Sequence, residues 1–289
     1  MKLFVFGLGY SSLHFINLFG SGYSHISGTV RSAEKALALT SEGIETLVFS
    51  QDYTDPAVVD AMLKADALLI SVPPGVSIDP VLQTFGRRIG QSRAQKIVYL
   101  STVGVYGDHD GAWVDEETFP NPVSERSVAR FKTEKAWIAA ISAPRQSLQI
   151  LRLAGIYGPG KNALVNLKTG TARRLIKPGQ VFNRIHVEDI ARAIAAAFAF
   201  DGPSALWNVS DDEPAPPQDV VAYAAQLMNL PCPPDVPFET ADLSPMARSF
   251  YGENKRVSNR ALRDLLGVEL KYPTYRQGFD ALFADGEGQ

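Results

Sequence analysis

The chain has 289 residues and sets 28 lysines and arginines against 31 aspartates and glutamates, a formal net charge of −3, which excludes a broadly basic nucleic-acid coat. Hydrophobic residues make up 45% and charged residues 20%, the balance of a globular protein with ample core material, and extensive disorder is excluded. A single cysteine, Cys232, excludes an intrachain disulfide and a cysteine-rich zinc site, and fits a reducing compartment as an incidental or packed thiol.

Length allows one large domain or two smaller ones sharing an interface. The N-terminus reads as a first strand because glycines and serines follow the short apolar run at once. The most apolar later stretch, Ile190–Phe200, is interrupted by Arg192 and is too short to cross a bilayer. The expectation is a cytoplasmic protein with no membrane or nucleic-acid partner, acting on a small molecule.

Taken along the chain, short β-branched runs predict strands at Lys2–Phe6, His25–Val30, Ile44–Phe49, Ala67–Val72, Ile97–Ser101 and Leu148–Leu153, with helical patterns between them. The alternation predicts an α/β fold, a Rossmann-type doubly wound parallel sheet, and the nearly continuous apolar strands predict a sheet covered on both faces. Ser11-Ser12 after a glycine turn and Asp55-Pro56 mark helix starts. Beyond residue 155 the rhythm changes. Gly158-Pro159-Gly160 breaks the chain, a helix is expected over about Ala163 to Arg174, and an alanine-rich helix over Val187 to Phe200 leads into a strand at Ala205–Val209. Pro214–Pro217 and Pro231–Pro237 interrupt regular structure, and two helices close the chain near Ser258–Leu266 and Pro273–Leu282. The reading assigns residues 1–160 to a dinucleotide-binding domain, with 181–210 returning to it. Residues 161–180 and 211–289 form a smaller, partly helical C-terminal lobe for substrate.

Directly after the first strand stands Gly7-Leu8-Gly9-Tyr10-Ser11-Ser12, a G-x-G-x-x-G pattern with serine in the third place. The first glycine makes the tight turn, the second admits a pyrophosphate to the backbone, and the third allows close helix packing. The pyrophosphate would sit on the N–H groups of the following helix. The second strand ends in Arg31-Ser32, where an NAD site would carry an acid for the ribose 2′-hydroxyl. Arg31 either pairs with a 2′-phosphate or is a solvated arginine on a turn capped by Ser32; the charge argument favours NADP(H) over NAD(H). Asp52, after the third strand, either touches adenine or forms a turn. Ser71, Val72 and Pro73 end the fourth strand at the crevice of such a fold.

Leu100-Ser101-Thr102-Val103-Gly104-Val105-Tyr106-Gly107 resembles the extended short-chain dehydrogenase/reductase superfamily, as do the stretches Leu151 to Gly160, Arg184 to Ala191 and Trp207-Asn208-Val209. The closing Lys255-Arg256-Val257-Ser258-Asn259 resembles the C-terminal lobe of an atypical, NAD-dependent epimerase/dehydratase-like subgroup. The resemblance implies hydride transfer on a carbonyl or hydroxyl of a sugar or nucleotide-sugar, by an oxidoreductase or an epimerase/dehydratase-like enzyme. Thr102 would polarise the substrate oxygen, or merely cap its loop, and Tyr106 would line the pocket or anchor it. Ser101, Gly155 and Ile156 would border the cofactor, and Tyr157, Asn162, Arg184 and Tyr251 the substrate. The superfamily often dimerises through helices flanking this loop, here the segments before Ile97 and around Val123–Ile141, which implies a homodimer.

On the helix that follows, where the superfamily carries Tyr-x-x-x-Lys, this chain reads Glu125-Arg126-Ser127-Val128-Ala129-Arg130-Phe131-Lys132-Thr133-Glu134. Arg126 stands at the tyrosine and Arg130 at the lysine. Arginine stays protonated, so Arg126 cannot be a general base, while Arg130 retains the capacity to bind ribose, phosphate or an anionic substrate. His186 titrates in a useful range but stands where a structural hydrogen bond is expected. The histidines and the lone cysteine show no metal-ligand spacing, and no metal site is expected. The alternative to an enzyme is a non-catalytic NADP(H)-sensing regulatory protein that keeps the cofactor site without the proton-transfer pair.

Overall fold

The structure, a computed structural model, describes residues 1–75, 79–141 and 145–289. The first half runs β1 (Lys2–Phe6), α1 (Tyr10–Phe19), β2 (His25–Val30), α2 (Ala33–Ser41), β3 (Glu45–Val48), α3 (Ala57–Lys64), β4 (Ala67–Ile70), α4 (Pro80–Ile89), β5 (Lys96–Thr102), β6 (Trp113–Val114), α5 (Glu125–Ala140) and β7 (Ser147–Leu153). There follow β8 (Gly155–Tyr157), α6 (Ala163–Lys168), β9 (Arg174–Ile176), β10 (Arg184–His186), α7 (Val187–Ala199) and β11 (Ala205–Val209). The chain ends with α8 (Pro217–Leu227), β12 (Asp235–Pro237), α9 (Pro245–Phe250), β13 (Arg256–Val257), α10 (Arg260–Asp264) and α11 (Tyr275–Ala284).

Seven strands form one parallel sheet in the order β11-β7-β5-β4-β1-β2-β3. Strand side chains alternate between faces, and here both faces are apolar. Leu3 and Val5 of β1, Ala67 and Leu69 of β4, and Val98 and Leu100 of β5 pack into one core with residues of α1, α2 and α7. The alternate residues, Phe4, Phe6, Leu68, Ile70, Ile97 and Tyr99, pack into a second core with Val58 and Met62 of α3, Phe85 of α4 and Trp137 of α5. The chain is therefore a doubly wound Rossmann sandwich, as its uninterrupted apolar strands predicted.

The C-terminal part differs more from expectation. The helix beginning at Ala163 stops at Lys168, because Gly170 turns into the left-handed region at φ +69°. Arg174 then opens β9, which pairs with β12. Three two-stranded parallel pairs, β8 with β10, β9 with β12 and β6 with β13, accompany the main sheet. The last helix starts at Tyr275, where Thr274 and Gln277 form a capping box. Cys232 is exposed, not packed. Among the described residues no helix is long and apolar enough to cross a membrane.

Candidate active-site cleft

Gly7 sits at φ +93°, and a β-carbon there would meet Val72 Cγ2 at 3.0 Å and Val72 N at 3.1 Å, so the turn between β1 and α1 requires glycine. Ser12, fully buried in the third glycine's place, donates from Oγ to Gly7 O at 2.8 Å and accepts from Gly9 N at 2.8 Å. The hydroxyl closes the loop that a glycine would have left to packing alone. Gly9 caps α1, and a β-carbon on it would meet nothing within 4 Å. This is the open approach to a helix N-terminus that a pyrophosphate needs, with Tyr10 and Ser11 in the first turn. Tyr10 Oη donates to Pro159 O at 2.9 Å, tying the glycine loop to the turn after β8; burial, with help from Glu287, pushes its pKa up to about 12.

Arg31 is exposed at the end of β2, and Ser32 caps α2, accepting from Lys35 N at 3.4 Å. Lys35 reaches back to Leu8 O at 2.8 Å, which places a second cation next to the glycine loop; its spacing of four from Arg31 on a helix start was the available signal. Asp52 is exposed in a bend after β3. Ser71 continues the sheet edge with its N–H donating to Phe6 O at 2.8 Å, and Val72 packs on Gly7.

Between this edge and the C-terminal lobe lies a cleft of about 1060 Å³. It brings together Pro73, Thr102, Arg130, Gly155 and Ile156 on the sheet side with Tyr157, Asn162, Arg184 and Tyr251 on the lobe side. Gly7, Gly9, Arg31 and Asp52 lie outside its lining. Thr102, half-buried at the end of β5, accepts from Gly104 N at 3.1 Å through Oγ1 and so caps the 3-10 turn Val103–Tyr106. Its hydroxyl proton remains available to a ligand oxygen.

Three expected site residues turn elsewhere. Ser101 is buried and donates to Glu134 Oε1 at 2.5 Å, because side chains alternate along β5 and Ser101 faces α5. Tyr106 is fully buried, donates to Asn208 Oδ1 at 2.8 Å and carries the Arg152 guanidinium 4.8 Å over its ring; it is an anchor, outside the cleft lining. His186 is also outside that lining. It caps α7, accepting from Glu188 N at 3.2 Å, and is wedged between the rings of Tyr157 and Tyr272. Burial pulls its pKa down to about 4, so at neutral pH it carries no proton to transfer as an acid.

Arg126 and Arg130 of α5 are also engaged. Arg126 lies 4.8 Å over the Phe250 ring. Arg130 donates from Nη1 to Leu100 O and to Tyr99 Oη, both at 2.9 Å. The spacing Tyr-x-x-x-Lys does occur twice off the helix, and neither pair converges. At Tyr157…Lys161, the tyrosine hydroxyl presses on Gly278, where a β-carbon would lie 2.1 Å away, while the lysine sits 5.8 Å over the Tyr10 ring. At Tyr251…Lys255, the tyrosine stacks on Phe238. Its lysine is buried and donates to Gly107 O and to Glu253 Oε2, both at 2.7 Å. Lys255 thus pins the Thr102 loop to the lobe. Asn162 is held as the cap of α6, accepting from Val165 N at 3.1 Å, with its amide donating to Gly158 O and Glu287.

Beneath Thr102, Glu134 of α5 accepts from Arg152 Nε at 3.1 Å and Nη2 at 2.7 Å, besides the Ser101 hydroxyl. Ser101 and Arg152 are register partners across β5 and β7, so one buried carboxylate clamps both strands at the edge that carries the site. Among the described residues no group of three His, Cys, Asp or Glu is placed to hold a metal ion.

The model of the NAD dependent epimerase/dehydratase family matches residues 82–210. Over 99% of both chains the protein is similar to a conserved protein of unknown function from Silicibacter pomeroyi, with 47% identity and a TM-score of 0.88. It is 25% identical to Protein YeeZ of Escherichia coli K12 over 94% of this chain and 96% of that protein. A human epimerase family protein solved with NADPH shares the fold alone, at 15% identity and a TM-score of 0.73 over 99% of this chain and all of that one. With its glycine loop and its Thr102 turn, the chain resembles the extended short-chain dehydrogenases/reductases, and its residues 82–210 match the NAD dependent epimerase/dehydratase family.

Proposed function

We propose that this protein binds NADP(H) and carries out hydride transfer on a carbonyl or hydroxyl carbon of a small molecule, of the sugar or nucleotide-sugar kind, seated over Thr102. The observation that carries the reading is the position of Thr102: a half-buried hydroxyl with a proton to give, at the sheet edge, in a cleft that Pro73, Gly155 and Ile156 also line. The chain's residues fit a dinucleotide, since the space beside Gly9 is free for a pyrophosphate and Arg31 and Lys35 supply cations where an acid would select NAD. A bound nicotinamide supplies or accepts the hydride. Thr102 holds the reacting oxygen, Lys255 fixes its loop, and Pro73, Gly155 and Ile156 border the cofactor side of the cleft. The accompanying proton comes from water or from a group other than the superfamily's tyrosine. We place the protein in a reducing, cytoplasmic setting, which suits the exposed thiol of Cys232. A homodimer through the segments before Ile97 and around Val123–Ile141 suits the exposure of Val123 and Ile138.

A second reading, an NADP(H)-responsive binding protein without turnover, is favoured by one observation: Arg126 and Arg130, which the resemblance aligns with the proton-transfer pair, are both engaged. Calorimetric titration of NADPH, NADP, NADH and NAD, with Arg31→Ala alongside, tests both. Tight NADP(H) binding weakened in Arg31→Ala, followed by Thr102-dependent turnover of a carbonyl or sugar, supports the enzyme. Binding without turnover across a broad panel supports the sensor, and no binding to any of the four overturns both.

A further inference from the structure

Arg184 is a cation without an anion. It lies half-buried in β10 on the lobe side of the cleft, with its guanidinium 5.8 Å over the Tyr275 ring. Nη1 donates to Phe182 O at 2.9 Å and Ala215 O at 3.1 Å, which fixes the plane of the group. Nε and Nη2 have no hydrogen-bond acceptor, and Arg184 forms no ion pair, among the described residues. The carboxyl group that faces it, Asp211, is too far for an ion pair, and burial pushes its pKa well up, toward the neutral form. The surrounding hydroxyls are those of Tyr157, Tyr251 and Tyr275, and those of Tyr157 and Tyr275 are buried without a partner. The cleft as a whole is lined by five basic side chains and two acidic ones, and one of the two, Glu253, is already paired with Lys255.

A fixed, partly desolvated guanidinium with two free donor positions is built to receive an oxyanion with parallel hydrogen bonds. We propose that Arg184 anchors an acidic group of the ligand, a carboxylate or a phosphate, so that the cleft selects small anionic compounds over neutral ones. As a statement about substrate, it rests on reading the cleft as the substrate site of a nicotinamide enzyme. The anchoring itself does not require turnover.

The test is calorimetric titration of NADPH-saturated protein with matched acid and neutral probes: glucuronate and glucose 6-phosphate against glucose, and lactate against propane-1,2-diol. The expected result is at least one acid bound about tenfold or more tightly than its neutral partner. The carboxylate and phosphate arms tell the two sources apart. Arg184→Gln should erase the preference, Arg184→Lys should keep part of it, and NADPH affinity should stay unchanged in both. Equal binding of every acid and its neutral partner, or a preference that survives Arg184→Gln, overturns the proposal; should the glutamine variant not fold, an undiminished preference in Arg184→Lys overturns it. If NADPH itself does not bind, the enzyme reading falls, while an Arg184-dependent preference in the cofactor-free protein still upholds the anchor.

Discussion

Replacing Glu134 with glutamine separates the scaffold of the site from its chemistry. Glu134 is 1% exposed and Arg152 2% exposed, and the carboxylate receives two hydrogen bonds from the guanidinium and one from Ser101. Glutamine keeps one acceptor oxygen but turns an NH2 group toward donors, and it leaves Arg152 as a buried charge without compensation. Breaking a buried pair from one side costs about 3–5 kcal/mol, a large part of the roughly 5–15 kcal/mol that holds a typical domain folded. With a urea slope of about 2 kcal/mol per M, the unfolding midpoint should fall by about 1.5–2.5 M. Fluorescence of Trp137, buried on the same helix, reports the transition. The double variant Glu134→Leu with Arg152→Met removes both charges and should recover most of the loss. A midpoint shift below about 0.5 M for Glu134→Gln, or a double variant weaker than the single one, would refute the view that this pair is a clamp.

Three further outcomes are expected. Thr102→Ala should lower turnover about a hundredfold, as loss of a group that stabilises charge on the reacting oxygen does, while Thr102→Ser keeps most of it and NADPH affinity is unchanged in both; steady-state kinetics with calorimetry checks this. Gly9→Ala should leave the unfolding free energy within about 0.5 kcal/mol of wild type, because its β-carbon meets nothing, yet weaken NADPH binding by about tenfold or more, since that space is where the pyrophosphate approaches. His186 should make the protein less stable in acid. Its pKa is about 4 when folded against 6.5 when unfolded, so between those values the unfolded chain binds the extra proton and stability falls as pH is lowered. From pH 7 to 5 the loss is about 2 kcal/mol, nothing is gained above that window, and His186→Asn should flatten the difference in urea midpoints.

The parts of this structure that are local in sequence were legible in it. Strands β1, β4 and β5 announce themselves because each holds an unbroken run of at least four apolar residues, Leu3–Phe6, Ala67–Ile70 and Ile97–Leu100, and both faces are covered. The Gly7-to-Ser12 loop is legible because six consecutive residues make the whole turn. Side-chain direction at a strand end was not. Ser101 and Thr102 are adjacent and point to opposite sides, one to Glu134 and one to the cleft, and the partner that claims Tyr106 is Asn208, 102 residues away. Lys255 meets Gly107 across 148 residues, a contact that only the folded lobe creates. Two- and three-residue strands such as β9 and β13 carry too few residues to show an alternation, so these strand pairs were invisible. A helix pattern running to Arg174 concealed the stop that Gly170 imposes.

The contacts of α5 show which duties of that helix are separable. Its lower half still clamps β5 to β7 through Glu134, and Arg130 still fastens it to the Leu100 carbonyl next to Ser101. Its position relative to Thr102 is therefore set by contacts that need no tyrosine or lysine. For the same reason loss of stability in Glu134→Gln and loss of turnover in Thr102→Ala should be independent. A Thr102→Ala variant that folds as well as wild type, binds NADPH as well, and turns over nothing would place the chemistry at the β5 edge. If Thr102→Ala changes no activity of any kind, what has persisted on α5 is architecture alone, and the cleft serves binding.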